Sequence, residues 1–124
     1  MRHGVRGRKL NRPTGERLAL LRGLARALFE HEVIQTTEAR AKAVRPFVDR
    51  LITRACEGTL PARARLVAVL QEDNLVDKMI HVYGSRYKDR HGGYTRMVRV
   101  GIRRGDAAPL VRLELVGREK EKSV

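Results

Sequence analysis

The stretch Tyr94-Thr95-Arg96-Met97-Val98-Arg99-Val100-Gly101-Ile102 and the later run Pro109-Leu110-Val111-Arg112-Leu113-Glu114-Leu115-Val116 decide the fold class. Apolar residues recur here at every second position, the period of a strand with one buried face. Tyr94, Val98, Val100 and Ile102 are expected on one face, with Thr95, Arg99 and Arg103 on the other. Gly105-Asp106 lies between the runs, so the pair reads as a hairpin whose loop is longer than the tightest two-residue turns.

Upstream the apolar spacing is three to four, the period of a helix. Thr14, after Pro13, is placed to cap a helix with Leu18, Leu21, Ala25 and Leu28 on one face, Leu24 and Phe29 beside them, and Arg22 and Arg26 at its edge. Val33 to Thr36 is short and rich in β-branched residues, so a strand is expected. Thr36 or Thr37 then caps a second helix, striped by Val44, Phe47, Val48, Leu51, Ile52 and Ala55 and ended by Gly58. Pro46 inside that stripe predicts a kink or a later start. Pro61 opens a third helix carrying Leu66, Val67, Val69 and Leu70. Asp73 or Asn74 caps a fourth, with Leu75, Val76, Met79, Ile80 and Tyr83, stopped by Gly84. Residues 1–13 have no hydrophobic period and read as an extended basic arm; residues 117–124 alternate in charge and read as a disordered tail. The expected architecture is α+β in two layers: helix, strand, three helices, two strands, with the helices on one face of a small mixed or antiparallel sheet. Residues 1–116 form one domain, and no segment repeats another.

Composition narrows the function. Twenty-seven Lys and Arg against fourteen Asp and Glu leave a formal charge of +13 on 124 residues. Such a domain repels itself unless a polyanion neutralises it. Met1 to Phe29 holds eight basic residues and one acid, Glu16; Arg86 to Arg104 holds seven and one, Asp89. Most are Arg, whose planar guanidinium suits phosphate and base recognition. The longest apolar run, Leu66 to Leu70, is five residues, against the ~18 a membrane helix needs. No apolar segment follows the basic N-terminus, so no secretory signal is expected. With 42% hydrophobic residues the chain has enough to build a core.

Motifs that could carry catalysis fall short of it. His31-Glu32-Val33-Ile34-Gln35 has Gln35 where a zinc-protease helix needs its second His, and it falls at a helix-to-strand junction. Cys56 is the only cysteine and reads as a buried, inert thiol. Glu30 and Glu32 flank His31, but no nucleophile or second acid accompanies them. No catalytic residue, metal site, cofactor or small-molecule substrate is expected. Arg104-Gly105-Asp106 spells an adhesion tripeptide and reads as a hairpin turn. Gly92-Gly93-Tyr94-Thr95-Arg96 is more informative: two glycines permit close backbone approach, while Tyr87, Arg90, Tyr94 and Arg96 offer planes that could stack on unpaired bases. The same tyrosines could equally pack in the core.

Taken in order, Met1-Arg2-His3, Lys9-Leu10-Asn11-Arg12, Arg17, Leu21-Arg22, His31-Glu32, Thr36-Thr37, Ala41-Lys42, Leu51-Ile52-Thr53, Arg86-Tyr87, Gly92-Gly93-Tyr94-Thr95-Arg96, Arg104-Gly105-Asp106, Ala108-Pro109 and Leu113-Glu114-Leu115-Val116 resemble the L-seventeen family of bacterial large-subunit ribosomal proteins. The resemblance spans Met1 to about Val116. It implies the same order of elements, no catalysis, and a cytoplasmic place in the large subunit, on ribosomal RNA near the nascent-chain exit and beside the L-thirty-two protein. A copy in an organellar ribosome stays open. Three positions depart from the family pattern: Glu16, Gly23 and Glu38. Charge and resemblance together mark Arg2, His3, Arg6, Arg8, Lys9, Asn11, Arg12, Arg17, Arg22, Arg26, Lys42, Arg86, Tyr87, Arg90, Gly92, Gly93, Tyr94, Arg96, Arg99 and Arg103 for RNA contact. A free-standing RNA-binding or ribosome-assembly factor is the alternative. A DNA-binding regulator would need a base-reading helix, and the third and fourth helices are too apolar for that.

Overall fold

A computed structural model describes residues 14–117. The arm 1–13 and the tail beyond Gly117 lie outside the described residues, and with them the sequence expectations for those segments. The first helix, α1, runs Thr14–His31 and buries Leu21, Ala25, Leu28 and Phe29. Thr14 is itself helical, and Leu18 stays exposed. At the other end Glu32 turns left-handed, with φ 65°, while its N–H reaches the Leu28 carbonyl at 2.6 Å. Lys78 Nζ donates to the carbonyls of Phe29 and Glu30 at 2.9 and 3.0 Å, and the Tyr83 hydroxyl donates to that of Phe29. These donors satisfy carbonyls that a helix end leaves without partners.

Strand β1 (Val33–Thr37) feeds directly into α2 (Glu38–Glu57). Thr37 is the cap, its Oγ1 accepting from the Arg40 N–H at 3.4 Å, and Gly58 closes the helix at φ 66°. Pro46 does not delay the start: the helix is assigned unbroken from Glu38. The bond Pro46 cannot make is to the Lys42 carbonyl, and both residues lie on the exposed face, where water can substitute. Helix α3 (Leu60–Leu70) begins after Thr59, whose Oγ1 accepts from the Ala62 N–H, and has Pro61 in its first turn.

The fourth helical run corrects the sequence at both ends. It comprises α4 (Asp73–Lys78), a π-helical turn (Met79–Tyr83) and α5 (Gly84–Arg86). Its cap is Glu72, without a side-chain hydrogen bond, rather than Asp73 or Asn74. Gly84 does not stop it; its φ of −58° is ordinary helix. Gly84 is there because a Cβ would stand 2.8 Å from the Ala55 carbonyl oxygen on α2, so only glycine lets the two helices approach so closely.

Strands β2 (Thr95–Ile102) and β3 (Pro109–Leu115) complete an antiparallel sheet of order β1-β3-β2. Central β3 turns Val111, Leu113 and Leu115 into the core, all at most 2% exposed. Their partners Thr95 and Met97 on β2, and Ile34 and Thr36 on β1, share that face. The face expected for β2 is therefore reversed. Thr95 is buried and Met97 packs on the core, while Val100 and Ile102 are 42% and 69% exposed. A bulge between Arg99 and Gly101 interrupts the alternation. The hairpin loop itself forms as expected, closed by Arg103 N–H to Ala108 O at 2.8 Å and by Ala107 N–H to Arg103 O at 3.1 Å. Helices and sheet enclose one core, crossed by a file of rings: Phe29, Tyr83, Tyr87 and Tyr94, with successive centroids 6.0, 6.5 and 5.1 Å apart.

Candidate nucleic-acid interface

The residues marked for RNA contact divide into those the fold uses and those it leaves exposed. Arg2, His3, Arg6, Arg8, Lys9, Asn11 and Arg12 lie outside the described residues. Arg26 is committed inward: its Nε donates to the Leu70 carbonyl at 2.7 Å and so caps the end of α3. Arg86 pairs with Glu32 at 2.5 Å and lies over the rings of Tyr83 and Tyr87, at 5.3 and 5.7 Å. With 16% of its side chain exposed, it is part of the fold. Arg17 and Arg22 are half-buried along α1.

Tyr87 and Tyr94, offered above as stacking platforms, are 2% and 1% exposed. Their faces are covered by other core side chains, so the core alternative holds and base stacking on them is withdrawn. Burial also raises the hydroxyl pKa of Tyr87. The Tyr87 hydroxyl donates to the Val116 carbonyl at 2.5 Å, tying the helical run to the end of the sheet. Tyr94 does more. Its hydroxyl lies 3.1 Å from Thr53 Oγ1 on α2 and donates to the Arg90 carbonyl at 3.1 Å. A buried ring thus pins the glycine-bearing loop beside the exposed face of α2.

That loop is open. Gly92 and Gly93 have φ of 92° and 65°, and a Cβ on either would meet nothing within 4 Å. Arg90 donates to the Gly93 carbonyl at 3.1 Å and remains exposed, as do Lys88 and His91. Across from it α2 presents Arg50 and Arg54, and no carboxylate among the described residues pairs with either. Motif matching passed over these two arginines. The signal for them was helical phase: the polar side of α2 runs Lys42, Pro46, Arg50, Thr53 and Glu57, opposite the apolar stripe.

A second basic cluster sits where α2 meets the hairpin. Lys42 and Arg99 share the Glu38 carboxylate at 2.8 and 2.7 Å, leaving one net positive charge. Hydrogen bonds from Lys42 and then Arg99 pull the Glu38 carboxyl below its ordinary range. Arg103 grips Asp106 at 2.5 and 3.1 Å, which lowers the Asp106 pKa to about 2. Arg96 pairs with Glu114, which Arg112 also reaches at 3.1 Å. An exposed pair such as Arg103–Asp106 contributes ~0–1 kcal/mol, so that arginine can be drawn to phosphate at small cost, whereas Glu114 is buried and holds Arg96 and Arg112 in place.

Among the described residues no three His, Cys, Asp or Glu gather for a metal, and no helix is long and apolar enough to cross a membrane. Cys56 is half-buried and burial pushes its thiol pKa up, in keeping with an unreactive role.

Comparison with known proteins gives the surface its context. The family model described as ribosomal protein L17 matches residues 20–116. The large ribosomal subunit protein bL17 of Paramagnetospirillum magneticum is 50% identical over 119 residues, covering 96% of this chain and 85% of that protein. Its counterpart from Rickettsia bellii is 44% identical over 119 residues, covering 96% and 84%. That from Kosmotoga olearia is 46% identical over 147 aligned positions, covering 100% and 99%. With the family model spanning most of the chain and these identities over nearly its whole length, this chain belongs to the ribosomal protein L17 family.

Proposed function

We propose that this chain is a structural constituent of the large ribosomal subunit, acting in translation without catalysing a reaction. The observation that carries this is the near-full-length identity to proteins named for that subunit. The charge of +13 supports an RNA partner, since the subunit's RNA is the polyanion such a chain requires. We further propose where RNA sits: on the arm residues Arg2, Arg6, Arg8, Lys9 and Arg12, on the Gly92-Gly93 loop with Arg90, and on the hairpin cluster of Lys42, Arg99 and Arg103. The open glycine loop lets a phosphate approach backbone N–H groups, and the surrounding guanidiniums supply the charge. Arg26, Arg86, Tyr87 and Tyr94 serve instead by holding the surface in shape. A cytoplasmic ribosome, a seat near the nascent-chain exit and contact with the L-thirty-two protein complete the proposal.

Quantitative mass spectrometry of purified large subunits tests the central claim, with one copy per subunit expected. A copy number far below one, with enrichment on immature particles, would overturn it in favour of an assembly factor. Cross-linking within intact subunits tests the seat: cross-links to the L-thirty-two protein are expected, and their absence where other neighbours are captured would move the chain elsewhere.

A further inference from the structure

The aromatic rings that could carry an unpaired base lie inside the protein. Phe29, Tyr83, Tyr87 and Tyr94 are at most 2% exposed, Phe47 packs against the core, and the chain has no Trp. Of the described imidazoles, only that of His91 belongs to the glycine loop. Recognition of single-stranded RNA relies on splayed bases stacked on such planes. The described surface offers cations instead.

Three ties between α2 and β2 fix where those cations stand. Arg99 Nη2 donates to Glu38 Oε2 at 2.7 Å, Arg45 Nε donates to Thr95 Oγ1 at 3.1 Å, and the Tyr94 hydroxyl lies 3.1 Å from Thr53 Oγ1. β2 therefore runs along α2 in the opposite direction. Lys42, Arg99 and Arg103 cluster towards one end of this stripe, and Arg50, Arg54 and Arg90 towards the other. Lys42 and Arg50 are roughly 12 Å apart along the helix, at ~1.5 Å per residue. Between them Arg45 is engaged with Thr95, Pro46 is exposed and Asp49 contributes a carboxyl group.

A single strand laid along this stripe would carry phosphates, at ~3.4 Å per nucleotide, over Pro46 and Asp49. Its flexible backbone would also have to be ordered with few bases seated in return. A duplex avoids both costs. Its two backbones are already stiff and set apart. The wide, shallow minor groove of A-form RNA places sugar edges and 2′-hydroxyls, rather than phosphates, between them. We propose that the folded domain binds double-stranded RNA by its shape, with one phosphate backbone on Lys42, Arg99 and Arg103 and the other on Arg50, Arg54 and Arg90, and without reading base sequence. The proposal rests on the RNA-binding function put forward above.

The test is fluorescence anisotropy of the full chain in modest salt. The probes are an RNA duplex of about 16 base pairs, a second duplex of shuffled sequence, and an oligouridylate with the same number of phosphates. The duplexes should bind alike, and at least about tenfold tighter than the single strand, a margin the size of one base-stacking contact. Arg50→Gln with Arg54→Gln, and separately Lys42→Gln with Arg99→Gln, should each flatten the salt slope for the duplex by roughly 1–2 and reduce its advantage over the single strand. Thermal melts confirm that both variants fold, and the duplex preference itself is read on the unaltered chain. A single strand bound as tightly as the duplex, strong discrimination between the two duplexes, or a duplex slope that either pair of substitutions leaves unchanged overturns duplex recognition and leaves RNA binding standing. No binding of any of these probes or of a ribosomal RNA fragment overturns both.

Discussion

Asp106 shows how a single exposed contact orders a loop. Its carboxylate holds the Arg103 guanidinium and accepts from the Ala108 N–H at 3.1 Å, across a turn with positive φ at Gly105 and Ala107. The folded pKa, about 2, lies below the ordinary 3.8, so the contact's contribution is complete above about pH 4 and is lost as pH falls toward 2. A carboxyl-detected NMR titration should give a midpoint for Asp106 near 2, returning toward the ordinary value in Arg103→Gln; a shared midpoint for the two proteins would break the assignment. Gly84 makes the steric case. A methyl group there collides with the Ala55 carbonyl oxygen, which is backbone and cannot rotate away. Gly84→Ala should therefore cost ~1–3 kcal/mol as overpacking, despite alanine's better helix propensity. A melt showing stabilisation would mean the helices have room to part.

Elements carry the question of which face is buried. Leu51 on α2 is 6% exposed and Leu113 on β3 is 0% exposed, so truncating either to Ala should cost ~2–5 kcal/mol. Ile102 on β2, 69% exposed, is equally apolar yet should tolerate Thr within ~0.5 kcal/mol. Urea denaturation of the three variants checks the register directly. A large loss at Ile102 would put β2 back into the phase its alternation suggested. The same comparison explains why the phase was misread. Val98, Val100 and Ile102 form the more apolar set in sequence, but β2 is an edge strand paired only to β3. Its register follows Thr95 opposite Leu115 and Met97 opposite Leu113, and a one-residue slip exchanges the faces. A cap at Thr36 or Thr37 was legible, because a hydroxyl before a helical stripe has a local role, and the structure places it at Thr37; Thr37→Ala should cost ~0.5–2 kcal/mol in the same assay.

Over the whole molecule, the fold and the charge have separable effects on binding. Each phosphate neutralised contributes roughly 0.7–0.9 to the slope of log affinity against log salt. Deleting residues 1–12 removes Arg2, Arg6, Arg8, Lys9 and Arg12 and should flatten the slope for a ribosomal RNA fragment by roughly 3–4, if most of them meet phosphates. Tyr94→Phe changes no charge. It frees the loop from α2 by removing the hydroxyl between Thr53 and the Arg90 carbonyl, and should lower stability by ~1 kcal/mol while leaving the salt slope intact. Salt titrations and melts of both variants check the division. An unchanged slope after the deletion would mean that the arm makes no net phosphate contact.

Local chemistry was enough to determine the α+β class, the order of elements, the hairpin, a cap at Thr36 or Thr37 and the stop at Gly58, because period, capping and turn formation depend on residues a few positions apart. Charge and ordered motifs likewise determined the family. The tertiary structure alone decided which basic and aromatic residues face outward. Arg26 reaches a carbonyl 44 positions away, Arg86 a carboxylate 54 away, and Tyr94 a hydroxyl 41 away. A guanidinium that closes a helix end and one that meets phosphate are the same residue in sequence. Only the packing of distant segments, which satisfies the first and leaves the second in solvent, separates them.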